Sequence, residues 1–357
     1  VTAFPSSELV PRALYSIGDS HYNLQQYAEA EKAYRQVIDR FPQSPLVADA
    51  LSGIQYCLLA QGKQQEAVQV IDQYIEANPG TGIVEELQLK KADLLYNQKQ
   101  YAAAVNEFQA FVSKYPNSPH VATALFWSAK SLIALNRLSE AASTFERAAG
   151  ASGATAQLAA NALLEAGRVY FQQKQYDQAL RLFSNLESKY PTTDAAAEAS
   201  YMKGRVFWEN GDLQEAKNQF EFVIQKHPAS DAAARSKVSL AQMSLKAGDV
   251  AKAQTYAQEV ATSRNDVLGA EAQYLIASIF AERKEWQNAV TAYLRVRYVF
   301  PSFEEWVTKA YLGLGIAYEN LKDIPKAREA YQNAVKLKKD EQSVAEAQRR
   351  LNELERR

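Results

Sequence analysis

Apolar positions along this chain fall three and four residues apart, the spacing that places side chains on one face of a helix. The pattern then returns as a block. Alanines in equivalent neighbourhoods stand at Ala30, Ala67, Ala104, Ala141, Ala179, Ala216, Ala253, Ala289 and Ala327, with steps of 36, 37 or 38 residues. Four residues after each comes Tyr34, Ile71, Phe108, Phe145, Phe183, Phe220, Ala257, Tyr293 or Tyr331. Twelve residues before it the side chain is small, from Gly18 through Ala92, Ala129, Gly167, Gly204, Ala241 and Ala277 to Gly315, with Gln55 the exception. Tyr27, Tyr101, Tyr176 and Trp286 stand three residues before it, and prolines twelve after it at Pro42, Pro79, Pro116, Pro191, Pro228 and Pro301. The proline fails at Gly153, Asn265 and Lys339.

A fixed period near 37 residues predicts a stacked array in which each unit leans on its neighbours. Within a unit the columns predict a helical hairpin. The small residue of the first helix and the alanine of the second let two backbones approach, and the ring four residues on extends the same face by one turn. Each buried aromatic or aliphatic side chain contributes about 1.5–3 kcal/mol. The turns inside the units are polar or carry glycine, as at Asn23–Gln26, Gly62–Gln65, Asn97–Gln100, Asn210–Asp212 and Gly248–Asp249. Proline closes each unit because it cannot continue a helix. In Ser44-Pro45 and Ser118-Pro119 the serine is expected to cap the next helix, with proline at its first position.

These columns resemble the tetratricopeptide repeat, whose signature runs W-x₂-L-G-x₂-Y, A-x₃-F, P. Leu163, Ala166, Gly167, Tyr170, Ala179, Phe183 and Pro191 follow it closely, and Tyr311, Leu314, Gly315, Tyr318, Ala327 and Tyr331 follow it without the proline. The resemblance covers nearly the whole chain. It implies an all-α, right-handed superhelical solenoid of about nine hairpins. The common repeat has 34 residues, and the extra length here falls at the junctions FPQSP, YPNSP, YPTTD, HPASD and FPSFE. Such elongated units look like those of bacterial envelope proteins, which favours a periplasmic or envelope location over the cytoplasm.

Composition supports the helical reading and narrows the function. Glycine (14) and proline (11) are scarce, while 20 tyrosines and 14 phenylalanines need burial. Forty basic residues against 41 acidic ones give a net charge of −1, without the basic excess of a nucleic-acid binder. No run of eighteen apolar residues appears, so no membrane span is expected. Cys57, the single cysteine, rules out an internal disulfide and reads as a small core residue. His21, His120 and His227 lie in different repeats without metal-ligand spacing. No nucleotide-binding or hydrolase motif appears, since Gly313 and Gly315 sit inside the repeat signature. A non-catalytic chain without cofactor or metal is the expectation.

Three divisions follow. Residues 1–10, with Pro5 at a closing-proline position, read as the tail of a preceding repeat, so the chain is expected to be a piece of a longer protein. Residues 11–339 form the nine repeats. Residues 340–357 form a capping helix with Val344, Ala347, Leu351 and Leu354 on one stripe.

The resemblance implies that first helices line a concave groove. Eleven residues before each anchor alanine, that lining carries Asp19, Tyr56, Asp93, Lys130, Arg168, Arg205, Gln242, Ser278 and Ile316. One turn to either side lie Tyr15, Tyr22, Tyr96, Phe126, Phe171, Tyr201, Trp208 and Tyr274. Asp19, Asp49, Glu86 and Asp93 make the early repeats acidic. Lys130, Arg168 and Arg205 form a cationic ladder with Phe171 and Trp208 nearby, a seat for an acidic extended peptide unless each cation is paired with a glutamate. The lysine–asparagine carboxylate clamp of chaperone-binding relatives is missing. The expected function is a protein-interaction scaffold in a bacterial envelope assembly or transport system. The rivals are self-assembly through repeat ends and the recruiting arm of an enzyme whose catalytic domain lies elsewhere.

Overall fold

The computed structural model describes residues 8–79 and 82–356, and among them every regular element is an α-helix. The repeat tail expected around Pro5 falls outside the described residues. The chain divides into two compact units, one ending at Gln178 and the other beginning at Ala179. In the first, hairpins pair α1 (Val10–Asn23) with α2 (Tyr27–Arg40) and α3 (Val47–Ala60) with α4 (Gln64–Ala77). The next pair α5 (Val84–Asn97) with α6 (Tyr101–Lys114) and α7 (Val121–Ala134) with α8 (Leu138–Ala149), and α9 (Ala156–Gln172) follows. Helix α10 (Tyr176–Lys189) starts before the boundary and runs into the second unit. There α11 (Asp194–Asn210) pairs with α12 (Leu213–Lys226) and α13 (Asp231–Lys246) with α14 (Val250–Ser263). Then α15 (Val267–Glu282) pairs with α16 (Trp286–Val299) and α17 (Glu304–Asn320) with α18 (Ile324–Leu337), before α19 (Glu341–Glu355). The all-α array of hairpins expected from the period is what forms.

The packing gives the small column a sharper purpose than backbone approach. A Cβ built on Gly18 would come within 2.5 Å of the Tyr34 ring, and one on Gly53 within 2.7 Å of its opposite edge. Tyr34 is therefore wedged between α1 and α3. In the second unit Phe220 fills the notch at Gly204, Tyr293 the notch at Gly313 and Tyr331 the notch at Gly315. Glycine in the column makes room for the ring of its own hairpin, whereas Gly53 and Gly313, fourteen residues before their anchors, make room for the ring of the preceding one. Gln55, the exception, is buried and donates its amide N–H to the Ala67 carbonyl at 2.9 Å, which satisfies a polar group the core would otherwise strand.

Every hairpin turn closes the same way. The residue five before the anchor alanine has positive φ in all nine cases, although six of the nine are not glycine: Gln25, Lys99, Asn136, Lys174, Lys284 and Lys322. The next N–H bonds back five residues, as Gln26 to His21 and Asp323 to Tyr318, which is the Schellman closure of a helix end.

The Ser-Pro junctions differ from expectation. Helix α3 begins at Val47 and α7 at Val121, so neither serine is the cap and neither proline is the first helical residue. Instead Ser44 Oγ accepts from Leu46 N–H and Ser118 Oγ from His120 N–H, while the Ser44 and Ser118 carbonyls accept from Val47 and Val121. Proline is fixed at the second position of that single turn, where its φ fits, and the extra turn absorbs part of the added repeat length. Side-chain caps do occur at Thr155, Ser230, Asp249, Asp266, Asp323 and Asp340. At the C-terminal end α19 packs on α17 and α18, burying Ala347, Leu351 and Leu354, with Val344 half-buried.

Candidate functional site

The residues expected to meet a partner stand on the first helices, where packing leaves part of each side chain uncovered. In the first unit this face starts with a structural pair: the Tyr34 hydroxyl donates to Asp19 at 2.7 Å, and the Tyr15 ring lies 5.4 Å from that of Tyr34. Tyr22 meets Tyr27 edge-on at 5.5 Å. Asp19, Tyr15 and Tyr22 therefore brace their own hairpin as well as facing outward. Tyr56 is 59% exposed, a large ring left in solvent. Glu86 is paired with Lys90 at 3.0 Å.

Asp93 stands apart. It is half-buried, and burial alone pushes its carboxyl up to about 6. Among the described residues no side chain donates to it. One turn on, Tyr96 lies 5.5 Å from Tyr101 and 5.0 Å from Trp127, whose ring in turn meets Phe126 at 5.9 Å. Phe126 itself rests edge-on against Phe145 at 5.2 Å. A lone half-buried carboxylate beside a cluster of rings is suited to receiving an N–H donor or a cation.

The raised Asp93 carboxyl fixes a pH dependence. The folded chain holds this proton up to about pH 6 and the unfolded chain only to about pH 4, so folding takes up a proton between these values. The group's stability contribution is least unfavourable below pH 4 and worsens as pH rises through 6. Solvent reaches the carboxyl, so screening leaves a penalty of about 1 kcal/mol at neutral pH. Asp93→Asn is expected to stabilise the chain by that amount at pH 7.5 and by nothing below pH 4, read from urea unfolding at both values. A constant difference across pH would show the group is unperturbed.

The cationic ladder is paired. Lys130 Nζ lies 3.1 Å from Glu165, and Arg168 donates to the same carboxylate at 2.8 Å. Phe171 beside them rests on Tyr176 at 6.0 Å. In the second unit Arg205 reaches Glu209 at 3.2 Å and the Tyr201 hydroxyl at 3.4 Å, and lies over the Trp208 ring at 5.9 Å. Tyr201 is only 8% exposed and packs on Phe220, so it belongs to the core rather than to a contact face. Gln242 donates to Glu271 at 3.1 Å, whose carboxyl burial pushes upward. Tyr274 lies between Tyr293 at 5.7 Å and Trp306 at 5.5 Å, with Lys309 over the Trp306 ring at 4.4 Å.

Glu165, Trp127, Glu271 and Trp306 also stand among these side chains, outside the columns that mark the expected site. Glu165 stands three residues before Arg168, a spacing that brings helical side chains together, so it was within reach. Trp127 stands at the equivalent place three before Lys130. Glu271 and Trp306 gain their roles from neighbouring hairpins, which no spacing within one helix reveals. Among the described residues no helix is long and apolar enough to cross a membrane, and no cluster of His, Cys, Asp and Glu could hold a metal ion.

Comparison with known proteins agrees with this geometry. No curated protein matches the sequence. Among solved structures, the C-terminal part of a TPR repeat-containing protein from Cytophaga hutchinsonii is similar over 72% of this chain and 98% of its own, at 18% identity and a TM-score of 0.50. Yeast Tom70 is similar over 97% of this chain and 95% of its own, at 11% identity and a TM-score of 0.50. At these identities the likeness is one of fold. Models described as tetratricopeptide repeat match residues 15–81, 89–157, 129–192, 164–221, 201–262, 239–298 and 308–341. Repeats of this kind serve protein–protein interaction, and the chain belongs to the tetratricopeptide repeat family.

Proposed function

We propose that the chain is a non-catalytic scaffold that holds an extended segment of a partner protein against its first-helix face. Asp93 carries this reading: it is a half-buried carboxylate on that face with no side-chain donor among the described residues, beside the Tyr96–Trp127 rings. A partner's lysine, arginine or backbone N–H would meet the charge that folding leaves unmet, while Tyr56 and Tyr96 supply apolar contact. The paired ladder modifies the expectation of an acidic ligand. Lys130 and Arg168 share one glutamate, so a partner carboxylate there would have to displace Glu165. The 37-residue period and the Y/F-P-x-S junctions are the ground for placing the scaffold in a bacterial envelope assembly or transport system.

Photo-crosslinking tests the face directly. A benzoylphenylalanine at position 56 or 96 is expected to trap one partner protein in native-cell extract, and the same group at Lys32 on α2 is expected to trap none. Asp93→Lys should remove the adduct. Crosslinking from Lys32 alone would place the interface on the second helices, and an adduct consisting of a second copy of this chain would favour self-assembly instead.

A further inference from the structure

The sixth and seventh repeats break the aromatic pattern in two places, and the breaks open a cleft. In three other repeats the ring eight residues before the anchor alanine rests on a tyrosine that starts the second helix: Tyr22 on Tyr27, Tyr96 on Tyr101 and Phe171 on Tyr176. The sixth repeat has Trp208 at the first place but Leu213 at the second, and Leu213 is 56% exposed. In the seventh, the ring normally four residues after the anchor is replaced by Ala257, and the neighbouring Tyr256 is half-buried against the cores on either side of it. What remains is a cleft of about 450 Å³ at the hairpin tips of α11–α12 and α13–α14, walled by Trp208, Leu213, Leu240, Met243, Ala247 and Tyr256. This volume lies within the range of sites that take up small apolar groups.

The rim is charged. Lys252 is paired with Asp249 at 3.1 Å, and Lys217 stands 3.9 Å from Glu221. Lys246 lies over the Trp208 ring at 5.4 Å, and among the described residues no carboxylate stands within bonding distance of it. Three lysines face two carboxylates, which leaves one positive charge over an apolar floor. An apolar group with a carboxylate beside it complements that arrangement. An apolar or cationic one does not.

We propose that this cleft is a docking site for an acidic segment of a partner protein, which inserts one aromatic side chain against Trp208, Leu213 and Met243 while a flanking carboxylate meets Lys246. The site draws on both helices of two hairpins of the second unit, whereas the function proposed above is tested at Tyr56, Asp93 and Tyr96 of the first, so the two stand or fall separately.

The probe is the peptide acetyl-Glu-Glu-Phe-Glu-Glu-amide, titrated into the chain while following the Trp208 indole N–H resonance, assigned by its loss in Trp208→Phe. The expected result is a saturable shift. It should weaken at least tenfold when the peptide's phenylalanine is replaced by alanine or its glutamates by lysines. Lys246→Glu, an exposed change, should weaken it at least tenfold. Leu213→Tyr should do the same by restoring the ring that three other repeats place there, and circular dichroism should show both variants as stable as the parent. An unmoved resonance would overturn the proposal, as would equal binding by Leu213→Tyr. Decanoate binding more tightly than the peptide would reassign the cleft to a free amphipathic acid and overturn the peptide site.

Discussion

Replacing Phe220 with alanine is expected to lower the stability of the α11–α12 hairpin by about 3–5 kcal/mol, the range for truncating a fully buried ring. Phe220 has no exposed surface, and Tyr201 and Trp208 lie with their ring centres 5.7 and 6.2 Å away. The second substitution makes the test specific. Gly204→Ala alone brings a methyl carbon within 2.5 Å of the ring and should cost about 1–3 kcal/mol through overpacking. In the Phe220→Ala background the same change meets no ring, and alanine's better helix propensity should return about 1 kcal/mol. The two substitutions should thus couple by about 2–4 kcal/mol, a value that independent sites do not reach. Repeat arrays open in parts, so hydrogen exchange at the amides of α11 and α12 is the measurement, alongside chemical unfolding. Strict additivity would mean the notch at Gly204 has another purpose.

The seventh repeat shows the same exchange already made by the chain. Ala257 occupies the ring position and Ala241 the small one, both fully buried, and the neighbouring Tyr256 is only half-buried. One hairpin gives up core area, and the neighbouring tips gain an apolar cleft edged by lysines. Sites of recognition tend to lie where a repeat departs from its own rule, because the shared columns are occupied by packing.

What could be read from the sequence follows the same division. The anchor alanines, the rings and the small column are visible because core volume leaves few residue types to choose from. The left-handed turn residue was not visible: Lys174, Asn136, Gln25 and Gly62 occupy one backbone state imposed by helix closure, with no shared side-chain chemistry to mark it. The pairing of Lys130 and Arg168 was half visible. Register showed three cations in one column, but their common partner Glu165 belongs to a packing offset between adjacent first helices. Tyr201 lies deeper than its place one turn from a facing residue implies, because the Phe220 ring offers it a surface.

Glu187→Ala is expected to cost about 3 kcal/mol, because it strands two groups at once. Glu187 on α10 accepts from Lys203 Nζ at 2.7 Å and from the Ser200 hydroxyl, both on α11. The Lys203 and Glu187 side chains are 18% and 19% exposed, and Ser200 is buried. Exposed ion pairs contribute little, but removing one member of a pair this far withdrawn from solvent leaves a charge that water compensates only in part. Lys203→Ala should therefore cost about as much as Glu187→Ala, while Glu187→Met with Lys203→Met and Ser200→Ala should fall near the parent. A second readout comes from His227, held below the usual histidine range mainly by burial and by Lys226, with Glu187 acting in the opposite direction. Loss of Glu187 should move the His227 titration lower still, which NMR can follow. If Glu187→Ala costs under about 0.5 kcal/mol, the pair behaves as a surface contact. The offset between α10 and α11 would then rest on apolar packing alone. A full cost would mean that the spacing of successive hairpins in this unit, and with it the spacing of any residues presented to a partner, depends on a charge held between them.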